Sequence, residues 1–315
     1  MDAKKLRSMS THIAALSILN MGFSIVLGFF VLSSFGYPPL ISALVSTALA
    51  TVAETTIAPI LDELGIIRTK VATLILGPGV VDDVAEVMTA SLASLIVGSR
   101  EAVEDPLFLA LGLSTLAALT LGFHRIILPF IAHFDEETKD FHLFLLMVST
   151  ALIFTTVSQA FKLGVLLGAI IAGLTFQRFL NSSNSQKALT TLTGIAYGFL
   201  GPVFFFGIGL SINLSSLVES FQLTFWLLTA NFLGKFLAVL IVGRIAKLDL
   251  KAITAIGLGL SAKFSMGIIP VQILYSAHVI DQDLFSAFVA VSAITTMIIP
   301  FTLAYIIKRW RHSIP

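Results

Sequence analysis

Apolar positions come in long runs along this chain, with neither the alternation of half-buried strands nor the narrow stripe of a surface helix. Windows of about 20 apolar residues, enough for a helix to cross the hydrocarbon core of a bilayer, divide the chain into ten segments. They run near 12–36, 39–61, 71–97, 107–132, 141–161, 163–176, 190–212, 223–242, 252–277 and 284–307, the sixth being short. Short polar connections separate them. The pattern predicts an all-α polytopic membrane protein of about ten transmembrane segments, forming one membrane domain over 1–315.

Positive charge follows the same alternation. With the N-terminus placed inside, the Lys and Arg residues gather at the inside ends of the segments. The exceptions are Arg100 and Lys162 outside and Lys235 and Lys263 within segments. A bias of this kind sets topology and predicts both termini on the cytoplasmic face of the cell membrane. Composition agrees: 57% of residues are hydrophobic and 12% charged, about half the charge of a soluble domain. There is no Cys, hence no disulfide framework and no thiolate metal site. No basic patch interleaved with aromatics points to nucleic acid.

The first three segments (12–97) and the last three (223–307) enter the membrane from opposite sides, and the middle member of each triplet is interrupted. The segment at 39–61 carries Thr51-Val52-Ala53-Glu54-Thr55-Thr56 and Pro59. The segment at 252–277 carries Gly257, Gly259, Ser261, Lys263, Ser265, Gly267 and Pro270. Matching interruptions in two inverted halves point to a secondary transporter whose site lies where the breaks meet. The segments at 107–212 stand between the triplets.

Within the third segment lies Gly77-Pro78-Gly79-Val80-Val81-Asp82-Asp83-Val84-Ala85-Glu86. A charge at the centre of a bilayer costs about 2.5–3.5 kcal/mol on insertion scales, so three carboxylates here mark function. Asp82 and Asp83 are adjacent and point about 100° apart on a helix, so they do different jobs, and Glu86 lies one turn on. Lys235 is mid-segment, too deep to reach water easily, and Lys263 stands at the second break. These two cations face Glu54, Asp82, Asp83 and Glu86, a net negative set that attracts a small cation or protons. Glu54 and Glu86 are the candidate partners of Lys263. A structural ion pair would account for Lys235 alone. The full constellation favours transport.

At these residues the chain resembles the monovalent cation:proton antiporter-2 family. The stretch from Glu63-Leu64-Gly65 through Thr69-Lys70 to Gly79-Val80-Val81-Asp82-Asp83-Val84 is similar to the family's aspartate motif. Pro202-Val203-Phe204-Phe205-Phe206-Gly207-Ile208-Gly209-Leu210, Gly234-Lys235-Phe236, and Gly257-Leu258-Gly259-Leu260 with Met266-Gly267 resemble further family segments. The resemblance implies a sodium/proton antiporter fold, with inverted repeats and two crossed broken helices in a core domain that moves past a dimerisation domain in a homodimer. It implies that Asp83 carries the ion and proton, and that Asp82 pairs with Lys235. An Asp-Asp pair with that lysine goes with electrogenic exchange. The bound Na+ or Li+ would take oxygens from Asp83, Asp82 and Thr55 or Thr56, and no cofactor is expected. The chain departs from the family at Glu86, at Glu54-Thr55-Thr56, and at Lys263-Phe264-Ser265, where Arg-Gly-Glu is common. The family carries two or three helices ahead of the first segment here, so the chain reads as a natural short variant or a fragment.

Three other readings bear on the same residues. Potassium/proton exchange or potassium efflux differs only in cavity geometry. An intramembrane aspartic protease needs two carboxylates that close on one water, which neighbours on one helix do not do. A non-transporting membrane subunit would leave the charges unexplained.

Overall fold

The computed structural model describes residues 3–102, 106–127, 136–161, 163–176, 183–263 and 267–310, and they contain helices and no strand. Among them, five helices are long and apolar enough to cross a membrane: Ser10–Ser34, His142–Ala160, Lys187–Ser211, Phe221–Ile245 and Gln282–Trp310. Further apolar helices are shorter, such as Pro39–Ala50 and Leu250–Leu260. The chain is an integral multi-pass membrane protein. By compact packing it divides into Met1–Ala90 with Ile212–Pro315, and Ser91–Ser211.

The first unit holds both triplets. α1 is Ala3–Ser34, α2 Pro39–Ala50, α3 Glu54–Glu63, α4 Lys70–Leu76, and α5 Gly79–Ala102, of which the part up to Ala90 belongs here. After the second unit the chain returns. The second unit holds α6 to α10. α11 is Leu214–Glu219, α12 Phe221–Ile245, α13 Leu250–Leu260, α14 Ile268–Ser276 and α15 Gln282–Trp310. The segments predicted at 39–61 and 252–277 are each two half-helices, α2/α3 and α13/α14. Segment 71–97 is interrupted at Gly77-Pro78, between α4 and α5. Pro78 has no N–H and clashes with the preceding turn, yet Gly77 N–H still donates to Thr73 O (2.9 Å) and Asp82 N–H to Pro78 O (3.1 Å).

The packing partners of one triplet recur in the other. α1 packs on α2 and α4, and α12 on α13 and α15. α3 packs on α4, and α14 on α15. α2 meets α14, and α13 meets α3. The loops show that the relation is inverted. Tyr37, in the first loop of the first triplet, donates to Asp281 (3.1 Å), in the second loop of the second triplet. The opposite loops supply Ile66, Leu64 and Leu248 to one apolar cluster with Leu61, Ile253, Leu303 and Ile307. One sequence offset relates the halves: the shift that takes Pro39 to Leu250 takes Asn20 to Asn231, Ser24 to Lys235 and Ala50 to Ser261. α1 and α12 approach closely at Gly234, where an added Cβ would lie 2.9 Å from Ser24 Cα.

The second unit begins with the end of α5. It continues with α6 (Pro106–Gly122) and its π turn Phe123–Ile127, α7 (Glu136–Ala160), α8 (Val165–Phe176), α9 (Ser183–Ile195), a π turn Ala196–Leu200, and α10 (Gly201–Ser211). Its core includes Phe123, Leu143, Met147, Phe176 and Ala188 in one cluster, and Leu116, Phe154, Leu163 and Ala172 in another. Gly164 turns the chain between α7 and α8 at φ +85°, against Ser94.

Candidate functional site

The site lies in the first unit, where the two broken helices meet. α2 stops at Ala50 because Thr51 turns extended (φ −67°, ψ 160°), and the Thr51 hydroxyl bonds back to Ala48 O at 3.0 Å. Such local side-chain bonds compete with the helical ladder. α13 stops at Leu260, with Ser261 Oγ donating to Gly257 O at 2.7 Å. Broken backbone at membrane depth must be satisfied by protein. Here Ala53 N–H donates to Ala262 O at 2.9 Å, and Asn231 Nδ2 donates to Ser261 O at 3.2 Å. The two breaks are therefore joined by one hydrogen bond, and α12 supplies a further donor.

The last carbonyls of a helix have no partner within it and carry its negative partial charge. At the end of α2 two lysines take them. Lys235, fully buried mid-way along α12, donates to Ala50 O at 2.7 Å, Thr51 O at 3.4 Å and Asn20 Oδ1 at 3.4 Å. Lys263, also buried, donates to Ala48 O at 3.0 Å and Thr51 O at 3.3 Å. One carbonyl, that of Thr51, thus serves both ammonium groups. The Lys263 backbone is pinned in turn, since its own carbonyl accepts from Thr296 Oγ1 on α15. The Phe288 ring lies under the ammonium, 5.7 Å to its centroid.

The carboxylates stand at the start of α5. Asp82 is 0% exposed, while Asp83, one residue on, is exposed, as two side chains about 100° apart on one helix require. Among the described residues neither oxygen of Asp82 has a hydrogen-bond partner. Lys235 and Lys263 act on it through space, as do Glu86 and Asp83. For the Asp82–Lys235 pairing expected from the sequence, the structure gives no direct hydrogen bond. Glu86 is buried at 2% exposure, its Oε1 3.6 Å from where a Cβ on Gly267 would stand. It is thus beside the second break, and it is among the charges acting on Lys263. Thr56 is half-buried at the start of α3. The side chains of Glu54 and Thr55 lie outside the described residues. Among the described residues no group of three or more His, Cys, Asp or Glu is placed to hold a metal.

The sequence reading did not single out Asn20, Asn231, Phe288 or Thr296 for the site, and it named Thr51 only as part of the interrupted run. The internal offset is the signal that finds both asparagines, since they occupy one position of the repeat.

Over residues 1–309 the chain matches the family described as the sodium/hydrogen exchanger, transmembrane. The chain belongs to this family. Its all-α polytopic architecture is a sodium/hydrogen exchanger fold. Among relatives of this exchanger-family chain, a Na+/H+ antiporter of Enterococcus hirae is 24% identical over 253 residues, covering 79% of this chain and 65% of that protein. The Na+/H+-K+ antiporter GerN of Bacillus cereus is 25% identical over 249 residues, 78% of this chain and 62% of its own. A K+/H+ antiporter subunit, KhtU of Bacillus subtilis, is 26% identical over 263 residues, 80% of this chain and 60% of its own. The chain spans less than two thirds of the length of these curated relatives.

Proposed function

We propose that this exchanger-family protein swaps a monovalent cation, Na+ or Li+, for protons by alternating access, and that it belongs to the monovalent cation:proton antiporter-2 branch. The observation that carries this is the contrast at the start of α5: a fully buried Asp82, its two oxygens without a hydrogen-bond partner among the described residues, next to an exposed Asp83. A carboxylate buried without hydrogen bonds is costly until a proton or a cation cancels its charge. Two such groups, one reachable and one buried, are what an exchanger of protons for cations requires.

In this mechanism Asp83 receives the hydrated ion or a proton first. Asp82 adds a second carboxylate to the same cation, and the hydroxyl of Thr55 or Thr56 adds a neutral oxygen. Hard cations favour such oxygen ligands. Lys235 holds the carbonyl end of α2 and balances Asp82 when no cation is bound. Protonation neutralises the carboxylates, and the neutral site returns. The side of the first unit that bears Arg68, Lys70, Arg244, Lys247 and Lys308 faces the cytoplasm of the cell membrane, and the working assembly is a homodimer in the lipid bilayer. The activity is transport without chemical conversion of a substrate, and the transported ions are its only inorganic partners.

Relatives of similar identity named for K+ support a second reading, potassium/proton exchange at the same carboxylates. Proteoliposomes holding an internal pH dye separate these readings. A pH change on adding Na+, Li+ or K+, absent in Asp83→Asn, establishes antiport and names the ion. No response to any of the three, with folded protein, overturns it.

A further inference from the structure

The ammonium of Lys263 occupies a cradle whose chemistry is that of an alkali-cation site. Ala48 O and Thr51 O accept from it at 3.0 and 3.3 Å. The face of Phe288 lies 5.7 Å away. A cavity of about 10 Å³, room for about one water, adjoins it between Ala48, Thr51, Gly267, Phe288 and Ser292. The Glu86 carboxylate borders Gly267 on the same side. Backbone carbonyls, a threonine hydroxyl, a carboxylate and an aromatic face are ligands that hard monovalent cations and ammonium share. The backbone of Lys263 is fixed by Thr296, so the charge is delivered to this place by a short tether. A second feature points the same way. The Thr51 carbonyl already accepts from Lys235, and sharing one oxygen between two cations is unfavourable unless the surroundings supply an excess of negative charge. The end of α2, Asp82 and Glu86 supply it.

We infer that Lys263 is a built-in cation: its ammonium fills a second monovalent-cation position at the end of α2 and so confines transported cations to the carboxylates of α5. The cradle itself stands on the geometry alone. Its consequence, one transported cation per cycle, rests on the antiport reading above. Removal of the ammonium opens the position to K+ or Na+, with Ala48 O, Thr51 O, the Thr51 hydroxyl and Glu86 as ligands.

The test is made in Asp83→Asn, where cation binding at the exposed carboxylate is removed, so that its failure is distinct from a failure of antiport. Thermal unfolding of the purified full chain in detergent is followed in KCl, NaCl and choline chloride at equal ionic strength. Asp83→Asn alone is expected to melt alike in all three. With Lys263→Ala added, the midpoint rises with K+ or Na+ concentration and not with choline, as a ligand bound only by the native state demands. Adding Glu86→Gln as well shrinks that shift. Lys263→Arg, which keeps the charge, shows none. If the Lys263→Ala protein fails to fold in choline, extraction in KCl or methylammonium chloride restores it. Equal midpoints in all three salts, or misfolding that no small cation reverses, overturns the inference.

Discussion

Gly234 offers the sharpest test of how α1 and α12 hold the lysine in place. A methyl group at this position would stand 2.9 Å from both Cα and N of Ser24, and 2.8 Å from Ser24 Oγ. Favourable carbon contacts begin at about 3.5 Å, so the two helices must separate by roughly half an ångström or more. The obstacle is backbone, which cannot rotate out of the way. Overpacking of this kind costs about 1–3 kcal/mol. At about 2–4 °C per kcal/mol for a domain of some 150–250 residues, Gly234→Ala should lower the melting midpoint by about 2–12 °C. The control is Gly22→Ala on α1, where a Cβ meets nothing within 4 Å. Relief of glycine's conformational entropy should there be neutral or stabilising by up to about 1 kcal/mol. Both are measured as thermal unfolding of the purified protein in one detergent. Because Lys235 follows Gly234 directly, the shift should also weaken ion-dependent pH changes in proteoliposomes for Gly234→Ala and leave Gly22→Ala unchanged. Equal midpoints for the two variants would refute the close approach and with it the account of how Lys235 reaches Ala50.

Two further outcomes follow from the same geometry. Lys235→Gln keeps a donor but removes the charge and part of the reach to Ala50 O (2.7 Å) and Thr51 O (3.4 Å). A buried carbonyl left unpaired costs about 1–3 kcal/mol, so the midpoint should fall while Na+- or K+-driven pH change persists at a lower proton number, read as loss of voltage dependence in vesicles. Tyr37 ties one loop of each triplet together through Asp281, and burial first and the Asp281 charge second push its phenol above the usual tyrosine value. A raised value means that the native state holds the proton more tightly. The stabilisation is present below about pH 10 and declines as pH climbs past it. Tyr37→Phe should cost about 1 kcal/mol or less at this partly exposed tie. In a pH series of melting curves, the gap to wild type should narrow above pH 10, and a constant gap would count against the tie.

Much of this was legible in the sequence. All ten hydrophobic segments have helical counterparts among the described residues, because run length reports directly on the thickness to be crossed. The breaks at Thr51 and Ser261 were visible as polar and Gly-rich interruptions, and the division of Asp82 from Asp83 followed from helical period alone. The partners of the lysines were not visible. Formal charges can be counted in a sequence, whereas the partial charges on Ala48 O, Ala50 O and Thr51 O exist only once the helix has ended there. Lys235 and Lys263 were therefore matched to carboxylates, and the structure gives them backbone oxygens as well. The π turn at Ala196–Leu200 was hidden for a related reason: one extra residue in a turn leaves an apolar run of the same length.

The lysines that close the end of α2 are far from it along the chain, Lys235 by 185 positions from Ala50 and Lys263 by 215 from Ala48. Synthesis at about 5–20 residues per second puts roughly 10–40 s between the emergence of Ala50 and that of its donor. During that interval the first triplet sits with the carbonyl end of its half-helix uncovered and Asp82 without its countercharges. The nascent protein must spend those seconds shielded by the insertion machinery or by water, and the first half becomes a finished membrane structure only when the second arrives.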